Sequence, residues 1–343
     1  MKPLKILYPL SFLYLVVFNI SQKLKKIKQK KLHCKVISVG NITVGGTGKT
    51  PTVIFLAELL KKLNKKVCVI SRGYKRQITN YKLQNTNVVS DGKKVFLGPK
   101  IASDEPYLIA KLLNNVPVII GKNRYKTGLF AIEKFGIDTI ILDDGFQHLN
   151  LFRDIDIVCI NALNPFGNNL LLPSGYLREP VKNINRASAF VVTRCDKVAN
   201  TSISKIEDVI RKHNKSAPIF HASFNKKIFN KNGSEINSVI LKNQNAIAVS
   251  GIAVPEDFEK TLKELGVNLL VHKKFPDHYF FRDKDIKKLY SDAAEFQAFV
   301  ITTSKDVVRL PEDFPCYVLD IKLEIHQKDE FKKFLENEIA KKN

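Results

Sequence analysis

Residues 40–52 read Gly-Asn-Ile-Thr-Val-Gly-Gly-Thr-Gly-Lys-Thr-Pro-Thr, and they constrain this chain more than any other stretch. An apolar run (Val36, Ile37, Val39) precedes them and reads as a buried strand. Val53, Leu56, Leu60 and Leu63 follow at three-to-four-residue spacing, the mark of a helix with one apolar face. Pro51 falls in the first turn of that helix, where its missing N–H costs little. Strand, glycine-rich turn and helix N-terminus together make a phosphate cradle. Small residues let backbone N–H groups converge, the helix dipole favours an anion, and Lys49 can reach the terminal phosphates. The hydroxyl of Thr50 is then placed to ligate Mg²⁺. The strict pattern has glycine where this chain has Thr43, so the loop is a variant. Thr43, Val44, Gly45, Gly46, Thr47, Gly48, Lys49 and Thr50 are the expected nucleotide-binding residues, and a nucleoside triphosphate is the expected ligand.

A chain of 343 residues has room for two ordinary domains. Apolar runs near 36–39, 67–70, 118–120, 139–142, 156–160 and 189–193 alternate with helical patterns near 51–63, 105–113, 124–135 and 203–213. Strands separated by helix-length crossovers predict an α/β fold: a phosphate-loop parallel sheet with helices on both faces. In such sheets ligands bind at the carboxyl ends of the strands. Residues 219–241 read as a strand pair with a turn at Asn232-Gly233, after which α/β alternation resumes to the end. The expected organisation is a membrane-associated helix and basic segment (1–35), a kinase-like core (36–223), a strand-pair linker (224–244) and a smaller C-terminal α/β domain (245–343), with a cleft between the two bodies.

The formal charge of +23 is unevenly spread. No acidic residue precedes Glu58, while Lys23, Lys25, Lys26, Lys28, Lys30, Lys31 and Lys35 crowd one segment, able to bind nucleic acid or anionic lipid. The residues before it choose. Ile6 to Phe18 is almost wholly apolar, is interrupted by Pro9, and at about 13 residues falls short of the roughly 20 that span a bilayer. Lysines after the apolar run, and no small-residue cleavage site, argue against a secretory signal. An interfacial helix followed by lysines on anionic headgroups fits better, and nucleic acid is not an expected partner. Five scattered cysteines, with no close pair, exclude a disulfide framework or zinc site and place the working parts in the cytoplasm.

Residues 139–148 form an apolar strand that delivers Asp143 and Asp144 at its carboxyl end, where Mg²⁺ on a bound triphosphate needs a carboxylate. The two are expected to share the metal with Thr50. Gln147 and His148 read as packing or supporting hydrogen-bond residues. Asp104 opens a helix, where it could cap or could accept a proton from an attacking hydroxyl. His278 lies amid aromatics in Phe-Pro-Asp-His-Tyr-Phe-Phe (275–281) and could be packed or catalytic. Arg124 and Arg178 could neutralise phosphate oxygens or could be surface residues.

Six motifs in order resemble one family: residues 40–51, Ser-Arg-Gly-Tyr (71–74), Asp-Glu-Pro (104–106), Asp-Asp-Gly-Phe-Gln-His (143–148), Leu-Arg-Glu-Pro (177–180) and Phe-Pro-Asp-His (275–278). Together, over about residues 36–310, they resemble the tetraacyldisaccharide 4′-kinases. The resemblance implies ATP- and Mg²⁺-dependent phosphorylation of the 4′-hydroxyl of an acylated glucosamine disaccharide, at the cytoplasmic face of the inner membrane, with no obligate protein partner. It also implies that Asp104 pairs with His278 to act on the sugar hydroxyl, and that Arg124 and Arg178 contact phosphate. The two residues are expected in different domains, so that closure would complete the site. Lys75 and Ser304 depart from the family pattern, which has Gly and Glu there. A membrane-recruited partitioning ATPase is the rival reading, but its loop carries an extra lysine where this chain has Val44. A nucleic-acid-binding ATPase would explain the charge and not the apolar run.

Overall fold

Runs of β-branched residues form the strands, and the helical patterns between them form the crossovers. The computed structural model describes residues 7–73, 86–231, 233–252 and 254–341; Tyr74, Lys75 and Asn232 lie outside them. In chain order the first elements are α1 (Tyr8–Ile27), β1 (Lys35–Gly40), α2 (Lys49–Lys62), β2 (Val67–Ser71), β3 (Thr86–Ser90), α3 (Pro99–Ala102) and α4 (Asp104–Leu112). Next come β4 (Val118–Gly121), α5 (Arg124–Phe135), β5 (Thr139–Asp143), β6 (Ile155–Asn161), β7 (Ala189–Thr193), α6 (Asn200–His213), β8 (Ile219–Asn230) and β9 (Glu235–Ile236). The chain continues with β10 (Asn245–Ser250), α7 (Pro255–Glu264), β11 (Asn268–Lys274), α8 (Asp283–Glu295) and β12 (Phe299–Thr303). It closes with α9 (Ser304–Val307), β13 (Tyr317–Ile325) and α10 (Lys328–Ala340).

The chain divides into two compact units that interleave in sequence. The first holds residues 1–97, 109–224 and 323–343; the second holds 98–108 and 225–322. Parallel strands β7-β6-β1-β5-β2-β4 make the sheet of the first unit, with β3 antiparallel to β4 at its edge. Val36, Ile37, Ile140, Ile141, Ile157 and Val158 are all buried, as strands covered on both faces require. In the second unit β11-β10-β12-β13 run parallel, over a core that includes Ala248, Phe258, Leu262 and Ile301. C-terminal α10 belongs to the first unit because Phe331 packs against Phe220, with ring centroids 4.9 Å apart.

Three placements correct the sequence reading. Segment 98–108 belongs to the second unit, tied there by Asp104 to His278 (2.7 Å) and Glu105 to Lys305 (3.0 Å). Asp104 and His278 therefore share one unit, and no domain closure is needed for them to meet. Pro9 does not interrupt the apolar run; it occupies the first turn of α1, which then continues through Lys23, Lys25 and Lys26. Just beyond the turn at Gly233, Glu235 and Ile236 pair with β8, and Ser238–Leu241 is a 3-10 turn rather than strand.

Candidate active site

In the first unit β1 ends at Gly40 and the loop after it is stapled from inside. Asn41 donates Nδ2 to the carbonyl of Thr43 (2.7 Å) and to the hydroxyl of Thr47 (2.9 Å). A second strap lies alongside: the N–H of Val44 donates to Tyr176 O, and that of Arg178 to Ile42 O, both at 2.8 Å. The far side of the loop is open, since a Cβ built on Gly45 or Gly46 would meet nothing within 4 Å. Gly48 has φ +85°, a conformation that suits glycine, and turns the chain into α2 at Lys49. The first-turn N–H groups of α2 have no intrahelical acceptor, so a partial positive charge gathers at Lys49 and Thr50. The loop thus offers space, aimed donors and a lysine, which is what a polyphosphate requires.

Strand β5 delivers both carboxylates to the same end of the sheet. Asp143 is buried and accepts a hydrogen bond from Ser71 Oγ at 3.0 Å. Asp144, at φ +54°, turns the other way. Lys49 Nζ lies 3.6 Å from Asp144, and Arg178 Nη1 donates to both its oxygens at 2.8 and 2.9 Å. Partial burial would raise the Asp144 carboxyl, but Lys49 and Arg178 hold it below the usual range. Arg124, the first residue of α5, is 3% exposed and donates Nη1 to Gly121 O at 2.6 Å. Its buried Nε has no hydrogen-bond partner among the described residues. Burial lowers the Arg124 guanidinium to about 10 against the pull of Asp143, and Arg72 lowers it further. A buried guanidinium with an unsatisfied donor, within electrostatic reach of Asp143 and Asp144, is fitted to an incoming anion. His148, by contrast, is pushed down to about 3 by burial and by Arg124, Arg153, Lys25 and Arg72, so it is neutral at physiological pH.

Residues that the motif reading left without a definite role support this arrangement. Gln147 donates Nε2 to Asn41 O and to Glu179 Oε1, both at 2.7 Å, and fully buried Glu179 also binds Arg186 at 2.8 Å. This chain of contacts braces the strap bearing Arg178 against the phosphate loop. A glutamate directly after the arginine of Leu-Arg-Glu-Pro (177–180) was the available signal for it. Among the described residues no group of three or more His, Cys, Asp or Glu could hold a metal. Mg²⁺ needs none where phosphates and one or two carboxylates supply the ligands, and Thr50, Asp143 and Asp144 fit that pattern.

In the second unit Asp104 is the first residue of α4 rather than its cap, and its Oδ2 lies 2.7 Å from His278 Nδ1. Burial would raise the Asp104 carboxyl, but the hydrogen bond and charge of His278, then Arg309 and Lys305, hold it below the usual carboxylate range. The same hydrogen bond raises the His278 imidazole above its ordinary value, against burial. Phe275, Tyr279 and Phe281 pack on one another, with centroids 4.8 to 5.8 Å apart. His278 is thus left at their edge, facing Asp104 and within 3.5 Å of Asp277. A buried carboxylate paired with a partly exposed imidazole can take up and pass on a proton.

Helix α1 is built the reverse way to a core helix. Leu10, Leu13, Val17, Ile20, Leu24 and Ile27 recur at alternating three- and four-residue spacing and are all exposed, Ile27 to 80%. Its polar residues face the first unit instead. Ser11 Oγ donates to Leu171 O (3.0 Å), Tyr14 OH to Arg178 O (2.6 Å) and Gln22 Nε2 to Gln147 O (3.5 Å). Among the described residues no helix is long and apolar enough to cross a membrane.

Comparison with known proteins draws these features together. The profile of the family described as tetraacyldisaccharide-1-P 4′-kinase matches residues 4–340. A tetraacyldisaccharide 4′-kinase of Halothermothrix orenii is 38% identical over 322 residues, covering 90% of this chain and 83% of that protein. One from Aquifex aeolicus is 36% identical, covering 96% of this chain and 97% of its own length. A crystal structure of LpxK from Aquifex aeolicus in complex with ATP superposes with a TM-score of 0.76 at 34% identity, covering 97% of this chain and 98% of that one.

Proposed function

The chain belongs to the tetraacyldisaccharide 4′-kinase family, and from that premise we propose how its residues divide the work. The reaction is transfer of a phosphoryl group from ATP, with Mg²⁺, to the 4′-hydroxyl of an acylated disaccharide in lipid A biosynthesis. A match from residue 4 to residue 340 leaves no ground for the partitioning-ATPase reading.

Amides of residues 43–50 and Lys49 hold the β- and γ-phosphates, and Thr50 with Asp143 and Asp144 holds Mg²⁺, which neutralises phosphate charge when bound. Asp144 spaces Lys49 and Arg178 where the terminal phosphate arrives. Arg178 and the unsatisfied edge of Arg124 take up charge on the transferring oxygens. Asp104, with His278 as its partner, accepts the proton of the 4′-hydroxyl while that oxygen bonds to the γ-phosphorus. The bond from the γ-phosphorus to its bridging oxygen breaks, and ADP leaves with the electron pair.

The observation that carries this reading is the 2.7 Å contact between Asp104 and His278, two residues 174 positions apart. Purified protein given labelled ATP and the acylated disaccharide in detergent micelles should phosphorylate the sugar. Asp104→Asn should bind ATP as the wild type does and turn over about 10²- to 10⁴-fold more slowly. Wild-type turnover in that variant would remove Asp104 from the role of base.

We further propose that α1 lies in the membrane interface at the cytoplasmic face of the inner membrane, its exposed stripe among acyl chains and the following lysines on anionic headgroups. A kinase for an acylated headgroup must come to the surface, since withdrawing the lipid costs roughly 0.8 kcal/mol per CH₂. Deleting residues 1–20 should weaken binding to anionic vesicles; undiminished binding would place the anchor elsewhere.

A further inference from the structure

His278 holds φ at +64°. A residue with a side chain keeps that left-handed conformation only where its surroundings over-determine it. Those surroundings are a fully buried ion pair in the second unit. Asp306, in α9, and Arg309, just beyond it, have side chains 0% and 1% exposed, and Arg309 Nη2 donates to Asp306 Oδ1 at 2.5 Å.

Neither partner is used up by the other. Asp306 Oδ1 also accepts the N–H of Gly251 at 2.9 Å, and its Oδ2 accepts Thr303 Oγ1 at 2.6 Å. Arg309 donates Nη2 to Gly251 O at 3.2 Å, Nη1 to Tyr279 O at 3.1 Å and Nε to Lys305 O at 3.3 Å. Gly251 O then receives the N–H of His278 itself, at 3.1 Å. The backbone is therefore gripped on both sides of His278: its own N–H through Gly251, and the carbonyl of the next residue directly by the guanidinium. Gly251 leaves no slack, because a Cβ there would stand 3.1 Å from Pro276 O and 3.3 Å from Asp306 Oδ1.

We propose that Asp306 and Arg309 are positioning residues for the phosphoryl transfer, fixing the turn that aims the His278 imidazole at Asp104. The inference rests on the role given above to Asp104 and His278. A buried ion pair is weak evidence for stability as such, because desolvation offsets the attraction. Three carbonyls gathered by one planar guanidinium are evidence for geometry, which a lysine cannot reproduce.

A double-mutant cycle separates aiming from general support. Arg309→Met should lower kcat about tenfold or more with the KM for ATP unchanged, and Arg309→Lys should rescue it only in part. In a His278→Ala background Arg309→Lys, which keeps the positive charge that Asp104 feels, should change kcat less than about twofold, because the group it aims is gone. If Arg309→Met does not fold, Arg309→Lys and Asp306→Asn, checked for native ATP binding, carry the same cycle. Equal losses in both backgrounds would show a merely structural pair and overturn the inference. So would wild-type kcat in folded Arg309→Lys and Asp306→Asn. A His278→Ala enzyme with undiminished kcat would overturn the role of His278 and this inference together, which distinguishes the two failures.

Discussion

Two carboxylates, one in each unit, sit below the usual carboxylate range by different means, and the difference suits them to the different work proposed for each. Asp144 is gripped by Lys49 and Arg178, an ammonium and a guanidinium. Asp104 is gripped by His278, a group that titrates. A carboxylate held between an ammonium and a guanidinium has no imidazole to share a proton with, which suits the metal-ligand role proposed for Asp144. One paired with an imidazole can accept a proton and pass its charge on at little cost. Their exposure agrees: the Asp144 side chain is 39% exposed, open to ligands, while that of Asp104 is 8% exposed and shielded from water.

The strongest test sets one residue from each side against the other. Lys49→Met should abolish both ATP binding and transfer, since it removes the phosphate cation and leaves Asp144 on Arg178 alone. Asp104→Asn should spare ATP binding and lose only turnover. Equal loss of ATP affinity in the two, measured by calorimetry, would erase the distinction between them.

A smaller effect is expected from Arg178→Gln, which frees Asp144 from its closest cation. Turnover should fall about 10²-fold, the scale of one lost charge-stabilising donor. Adding Arg178→Gln to Asp104→Asn should be roughly multiplicative, because the residues act on different atoms and share no partner. Strong non-additivity would mean that the two carboxylates work as one network.

The first of these sites was far more legible in the sequence than the second. Phosphates are bound by consecutive residues at a strand–helix junction, so Gly45 to Thr50 announce themselves locally, and Asp143 and Asp144 stand at the carboxyl end of the apolar run 139–142. The parallel sheet was legible for the same reason, since fully buried strands are unbroken apolar runs. Strand β3 was not. Thr86-Asn-Val-Val-Ser90 is short, mixed and at an edge, where half-exposed strands have weak patterns. The extent of α1 was misjudged because lysines extend a helix as well as leucines do, so the end of the apolar run was not the end of the helix. Asp104 and His278 met through the motif resemblance alone, for nothing local in either segment signals a contact across 174 positions. The resemblance reached Asp306 through Thr-Thr-Ser-Lys-Asp (302–306), but nothing signalled its pairing with Arg309, because charged residues three apart read as a solvated helix face until burial is known.

The finest prediction concerns pH, where the two carboxylates share an acid limb and should part on the alkaline side, through His278. His278 has a folded value raised above its ordinary 6.5, so its contribution to stability is complete below 6.5 and is lost as pH rises through the raised value. Asp104 has a folded value lowered from 3.8, so its contribution is present above 3.8 and is lost as pH falls through the lowered value. The pair therefore stabilises the fold most fully between these limits and weakens on the alkaline side. Asp144, whose folded value is likewise lowered and whose gripping partners include no imidazole, has the acid limb only. Denaturant unfolding should show the gap between wild type and His278→Gln narrowing from pH 6 to pH 9, while that for Asp144→Asn stays level. A His278 gap that is flat or widens over that range would place the imidazole outside the ion pair and leave Asp104 no different in kind from Asp144.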